Sequence, residues 1–227
     1  MKITAHSGCD NTPMNSPEYL QHALALDCDA IEIDVRSAAN GELILTHDPQ
    51  SKDDTIFTLR EAFGMAAFEK CAINCDLKEY QLESSVIRTA NALGIARERI
   101  IFSGSVTPHP ARQWPDYMQG VQVYMNIEEL VPEIYKRLRS ASNEAAVIQE
   151  ALDLCAEKGC TVINVDFHIC TPTFLQMCNE RGLKISVWTV TEEEEIKKAL
   201  SMNVFNITTC APKTVRRLSK QTDFDVR

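Results

Sequence analysis

A closed (β/α)8 barrel is the fold class this sequence predicts, and three observations predict it. Short β-branched runs alternate with longer helical patterns along the whole chain, the signature of parallel strands joined by right-handed crossovers. Eight such strand-helix units fit into 227 residues, which makes a compact barrel. No shift in composition marks a second domain, so residues 1–227 are expected to form one; a doubly wound open sheet is the alternative architecture.

The barrel strands are expected at 2–6, 30–36, 72–78, 100–105, 121–127, 161–166, 184–190 and 206–209. Helices are expected at 17–27, 58–69, 80–93, 128–138, 142–158, 171–181, 191–201 and 212–220. The run 42–47 breaks the alternation. It follows 30–36 after only Ser37-Ala38-Ala39-Asn40-Gly41, too short for a crossover helix, and Asn-Gly is a hairpin signal. It is therefore read as an antiparallel extension outside the main sheet. Helix limits follow from end chemistry. Thr171-Pro172 has the order of a cap followed by a first-turn proline. Thr191 precedes four glutamates that suit a helix start, and Gly94, Gly159 and Gly182 follow helical runs as stops.

With 44% hydrophobic and 24% charged residues the composition is that of a globular protein. The net charge of -9 and the lack of a dense Lys/Arg patch argue against nucleic acid and anionic membranes as partners. They leave room for a small anionic substrate, since a bound metal reverses the field locally. Nine scattered cysteines without C-x2-C spacing, and no signal peptide ahead of Lys2, fit a reducing, cytoplasmic setting. No apolar run approaches the length of a membrane-spanning helix.

The chemistry-bearing residues arrive at strand ends. In Ile31-Glu32-Ile33-Asp34-Val35 both carboxylates share one face and the apolar residues the other. Asn74, Asp76 and Lys78 share a face in the same manner. Hard divalent cations prefer such oxygen donors, so Glu32, Asp34 and Asp76 are candidate ligands of Mg2+ or Ca2+. His6 ends the first strand run and His47 ends the hairpin arm. Two imidazoles beside a metal suit proton transfer near neutral pH. Lys78 is a candidate phosphate ligand, and Trp188 a candidate apolar wall. His168 lies near the site, whereas His22 and His109 are expected on the surface.

In His6-Ser7-Gly8, Pro13-Met14-Asn15-Ser16, Glu32-Ile33-Asp34, Thr46-His47-Asp48, Asp76-Leu77-Lys78, Val187-Trp188-Thr189-Val190 and Ile207-Thr208-Thr209-Cys210-Ala211-Pro212, the chain resembles the glycerophosphodiester phosphodiesterase family, from residue 2 to about 215. The resemblance implies a TIM barrel that hydrolyses glycerophosphodiesters to an alcohol and glycerol 3-phosphate with a divalent cation. It implies that Glu32, Asp34 and Asp76 hold the metal, that His6 and His47 are the acid-base pair, and that Lys78 binds phosphate. A lysophospholipid-cleaving enzyme and a non-catalytic phosphate-binding barrel are the alternatives.

Three departures accompany the resemblance. Ser7 stands where the family has arginine, and a hydroxyl cannot form a bidentate charged fork; Arg36, which shares the parity of Asp34, is the expected substitute. Asp76 stands for a longer glutamate. Only 23 residues separate Asp48 from Ala72, too few for a substantial cap over the site.

Overall fold

The computed structural model describes residues 1–49, 57–140 and 142–225. The strands are β1 (Lys2–Ala5), β2 (Ala30–Ser37), β3 (Leu43–Leu45), β4 (Ala72–Leu77), β5 (Ile100–Gly104), β6 (Gln122–Asn126), β7 (Val162–Asp166), β8 (Lys184–Trp188) and β9 (Asn206–Thr209). All pair in parallel except β3, which runs antiparallel on the outside of β2. Because β1 pairs with both β9 and β2, the other eight strands close into a cylinder. This is the predicted barrel with its hairpin extension; an open sheet is excluded.

The helices are α1 (Pro17–Leu24), α2 (Leu59–Ala66), α3 (Glu83–Ala92), α4 (Ile127–Leu130), α5 (Ile134–Ser140), α6 (Glu144–Lys158), α7 (Pro172–Glu180), α8 (Glu193–Ser201) and α9 (Pro212–Asp225). The single helix expected at 128–138 is two, because Pro132 interrupts it and Glu133 takes a left-handed φ of 58°. Thr171 caps α7 as predicted, accepting from the Phe174 N–H. Thr191 does not cap α8. Glu192 takes that position, and the Thr191 hydroxyl faces the Cys210 N–H instead, at 3.4 Å.

Alternation along each strand sorts its side chains. Ile31, Ile33, Val35, Ile73 and Cys75 are buried against the helical layer. Their neighbours line a barrel interior rich in polar groups. Thr4 donates to Asn206, Asn206 to Ser186, Asn74 to Glu32, Ser103 to Asn74 and Asn164 to Asn126. Burying polar atoms is tolerated because they partner one another across neighbouring strands. The register decides which groups meet: Glu32 sits beside Asn74, and Asp34 beside Asp76.

Candidate active site

At the C-terminal ends of the strands, His6, Glu32, His47, Asp76, Lys78, Asn126, Glu128, Asn164 and Trp188 line one pocket of about 420 Å³. Six of the nine residues singled out from sequence face or meet here. Asp34 is placed just behind the wall, and Ser7 and Arg36 turn elsewhere.

Asp34 is the anchor. It is almost fully buried, and its Oδ2 accepts from the Ser7 hydroxyl at 3.0 Å and from Asn15 Nδ2 at 2.7 Å. Asn15 also accepts from the Asp34 N–H, at 3.0 Å, so one side chain clamps both backbone and carboxylate. The Lys78 ammonium bridges Asp34 Oδ1 at 2.9 Å and Asp76 Oδ2 at 2.5 Å. Burial alone would raise the Asp34 carboxyl, but Lys78, Asn15 and Ser7 hold it below the ordinary range. The same carboxylates raise Lys78 against the effect of its burial. Ser103 donates to Asp76 Oδ1 at 2.7 Å.

Glu32 has no comparable cation. Its Oε2 accepts from Asn74 at 3.1 Å and its Oε1 lies 3.6 Å from His6 Nε2. Burial pushes its carboxyl up to about 7; His6 opposes the shift, and the nearby Asp76 and Asp34 charges add to it. His6 Nδ1 donates to the Ser7 carbonyl at 2.8 Å and lies 3.5 Å from Cys210 Sγ. Burial would lower the imidazole, but Cys210 and Glu32 outweigh it and raise His6 to about 9. The same contact lowers the Cys210 thiol. From behind, the Tyr19 hydroxyl joins the carbonyls of Ala5 and Glu32, at 3.0 and 2.7 Å, tying the first two strands together.

His47 differs from His6. It is exposed and lines the pocket, and its Nδ1 donates to Asp48 at 3.0 Å. Arg36 holds its carbonyl through Nε at 2.9 Å and pairs with Glu79 at 3.2 Å. That guanidinium supports the His47 backbone and does not line the pocket. Ser7 is buried and spends its hydroxyl on Asp34. The lysine or arginine that does line the pocket is Lys78.

The donor set fits a hard divalent cation in chemistry and charge: Asp34 and Asp76 share one lysine, and Glu32 is buried with His6 3.6 Å away. The three-carboxylate cage expected from sequence is not closed, however. Among the described residues, the one group of three or more His, Cys, Asp or Glu side chains with donor atoms all within 4.8 Å is Cys9, Asp10 and His22. Lys78 occupies the position between Asp34 and Asp76, and the short Asp76 side chain stays with it.

Sequence reasoning did not single out Asn15, Ser103, Asn126, Glu128 or Asn164. The signal was present for Asn164, since Asn164-Val165-Asp166 repeats the alternation of Glu32-Ile33-Asp34. Asn164 Oδ1 and Trp188 Nε1 are buried without a partner among the described residues, an acceptor and a donor on the pocket wall. Glu128 is held by Tyr135 at 2.6 Å and Asn126 at 2.9 Å. His168 pairs with Asp166 and Glu195 on the rim, and His109 packs edge-on against Trp114. The segment where a cap was judged too short runs partly through 50–56, outside the described residues.

No family model matches the chain, and no curated protein matches it. Solved structures do match its fold. A protein from Agrobacterium tumefaciens assigned as a glycerophosphoryl diester phosphodiesterase superposes with a TM-score of 0.79 at 17% identity, covering 99% of each chain. A glycerophosphodiester phosphodiesterase from Parabacteroides distasonis gives 0.71 at 14% identity, covering 98% of each. An Oleispira antarctica phosphodiesterase in complex with its product sn-glycerol-3-phosphate gives 0.66 at 14% identity, covering 99% of this chain and 97% of that one. The shared feature at these identities is the TIM barrel.

Proposed function

We propose that this chain is a phosphoric diester hydrolase that uses a divalent cation, Mg2+ or Ca2+, to cleave glycerophosphodiesters into an alcohol and glycerol 3-phosphate. The observation that carries the reading is the convergence of His6, Glu32, His47, Asp76 and Lys78 on one pocket from four separate segments. The fold shared with structures named for this activity supports it.

Glu32 and Asp76 would hold the cation, joined by Asp34 when Lys78 yields its contact. When bound, the ion neutralises non-bridging phosphate oxygens and acidifies a coordinated nucleophile. Lys78 then serves the phosphate as a point charge. His6, raised toward 9, is protonated at neutral pH and would hand its proton to the leaving alkoxide. His47 lines the same pocket and would withdraw the proton from the attacking water, or from a neighbouring substrate hydroxyl if a cyclic phosphate forms first.

The test is turnover of glycerophosphocholine with added Mg2+ or Ca2+. Groups in proton transfer contribute about 10²–10⁴-fold, so His6→Ala and His47→Ala should each lose that much. A loss below about tenfold in either contradicts its role.

A second reading is favoured by one feature. His47 also borders an outer groove of about 830 Å³ whose apolar residues Met14, Pro17, Ile44, Leu45 and Phe57 alternate with Asn15, Ser16, Glu18, Asp48 and Glu61. The apolar part of a groove that meets the pocket at a proposed base would suit the acyl chain of a lysophospholipid. Faster cleavage of an acylated diester than of glycerophosphocholine would select this reading.

A further inference from the structure

Behind the end of β1 lies a second constellation that the proposed chemistry does not use. Cys9, Asp10 and His22 bring a thiol, a carboxylate and an imidazole together, with one donor atom from each within 4.8 Å of the others. Gly8, Asp10 and Asn11 all take left-handed backbone conformations, with φ of 80°, 52° and 64°. Two of these are not glycines, and such residues hold that conformation only where their surroundings enforce it. The result is a turn that buries Cys9 while Asp10 Oδ2 meets His22 Nε2 of α1 at 2.9 Å. Asp10 and His22 keep part of their surface in solvent, which leaves an entry path on the carboxylate and imidazole side. The Lys213 ammonium already stands 3.4 Å from Asp10 Oδ2, so the spot draws a cation.

One sulfur, one nitrogen and one oxygen do not suit Mg2+ or Ca2+, which take oxygen ligands. They suit a borderline dication such as Zn2+, which accepts thiolate, imidazole and carboxylate in a tetrahedral set. We propose that Cys9, Asp10 and His22 form a binding site for a thiophilic divalent cation of the Zn2+ class, with the fourth position left to water. Binding releases the thiol proton to solvent, sends the proton that His22 Nε2 shares with Asp10 to solvent or to Nδ1, and moves Lys213 off Asp10. Because a thiolate and an unprotonated imidazole are the ligands, occupancy should strengthen as pH rises. The turn is pinned to the neighbouring pocket: the Cys9 N–H donates to the His6 carbonyl at 3.0 Å and the Asp10 N–H to the Cys210 carbonyl at 2.8 Å. A bound ion would therefore brace the backbone that carries both His6 and Cys210. None of this rests on the phosphodiester reading.

Co2+ is the probe, because thiolate ligation gives it an ultraviolet charge-transfer band that carboxylates alone do not. Titration of the full chain under reducing conditions should produce that band at one Co2+ per protein, and added Zn2+ should abolish it. Cys9→Ser should lose the band. His22→Ala should weaken binding and serves as the deciding variant should Cys9→Ser fail to fold, as judged by circular dichroism. Glu32→Gln and Cys210→Ser should keep the band. No band in the unmodified chain, a band that survives Cys9→Ser, binding unchanged in His22→Ala, or a band lost with Cys210→Ser would each overturn the assignment.

Discussion

The sulfur of Cys210 lies 3.5 Å from Nδ1 of His6. The two residues come from opposite ends of the chain and meet because β1 pairs with β9. The contact favours an imidazolium over a neutral ring, and a partly negative sulfur over a neutral thiol. Cys210 thus sets the proton affinity of a residue proposed to give up a proton.

Cys210→Ser is expected to lower the His6 pKa from its value of about 9. A histidine raised in the folded state adds stability that is complete below its ordinary 6.5 and is lost as pH rises through about 9. In the variant that loss should be smaller and finish at lower pH, and the alkaline limb of any activity profile should move the same way. NMR titration of the His6 ring checks it; an unmoved titration would mean the sulfur is a bystander.

Lys78→Met removes the ammonium shared by Asp34 and Asp76. Leaving a buried carboxylate unpaired should cost on the order of 3 kcal/mol by urea denaturation. A dication that binds only the folded state adds stability by mass action, and without the competing ammonium it should do so more strongly. Equal gains from Mg2+ or Ca2+ in the variant and the parent protein would show that the lysine does not hold a cation's place.

Glu32→Gln should change how stability depends on pH. The Glu32 carboxyl rises from 4.5 to about 7 on folding, so the folded chain binds the extra proton across that window. Stability of the parent protein should therefore fall as pH rises from about 4.5 to about 7. The variant should be flatter there and also show a shallower His6 slope above it, because the Glu32 charge helps to raise His6. Asp34 has the opposite sign: its contribution is present above the ordinary carboxyl value and is lost as the medium becomes more acid than that. Urea midpoints across the pH range measure all three.

Gly104→Ala should damage the site through its floor. Gly104 has φ of 72°, and a β-carbon there would stand 2.3 Å from the Leu77 carbonyl and 2.8 Å from Asp76 Oδ1. Gly94 shares a φ of 72° with nothing within 4 Å of its added β-carbon, so it separates strain from collision. Gly94→Ala should lose about 1 kcal/mol and keep its activity. Gly104→Ala should lose more stability and turnover together, because Asp76 and the ammonium bound to it must move.

The barrel was legible in the sequence because the strand-helix alternation runs through every unit, and the Asn40-Gly41 turn correctly set β3 outside it. The pairing of Glu32 and Asp34 on one face was legible from a period of two. What alternation cannot give is the register between strands, and register is what sets Asp34 beside Asp76 and admits Lys78 between them. Parity likewise placed Arg36 with Asp34 but said nothing of Glu79, which turns the guanidinium away. The broken helix at Pro132 could have been read from the proline alone. Asn15 was visible as part of a motif, yet its grip on both ends of Asp34 depends on a loop that sequence periodicity does not describe.

Closure of the cylinder has a consequence for how the molecule is made. The His6 N–H bonds to the Thr209 carbonyl, so the edge of β1 is covered only once β9, about 200 residues later in the chain, has docked. The pocket can take its working form only when the final strand docks, which makes assembly of the site a late, all-at-once event.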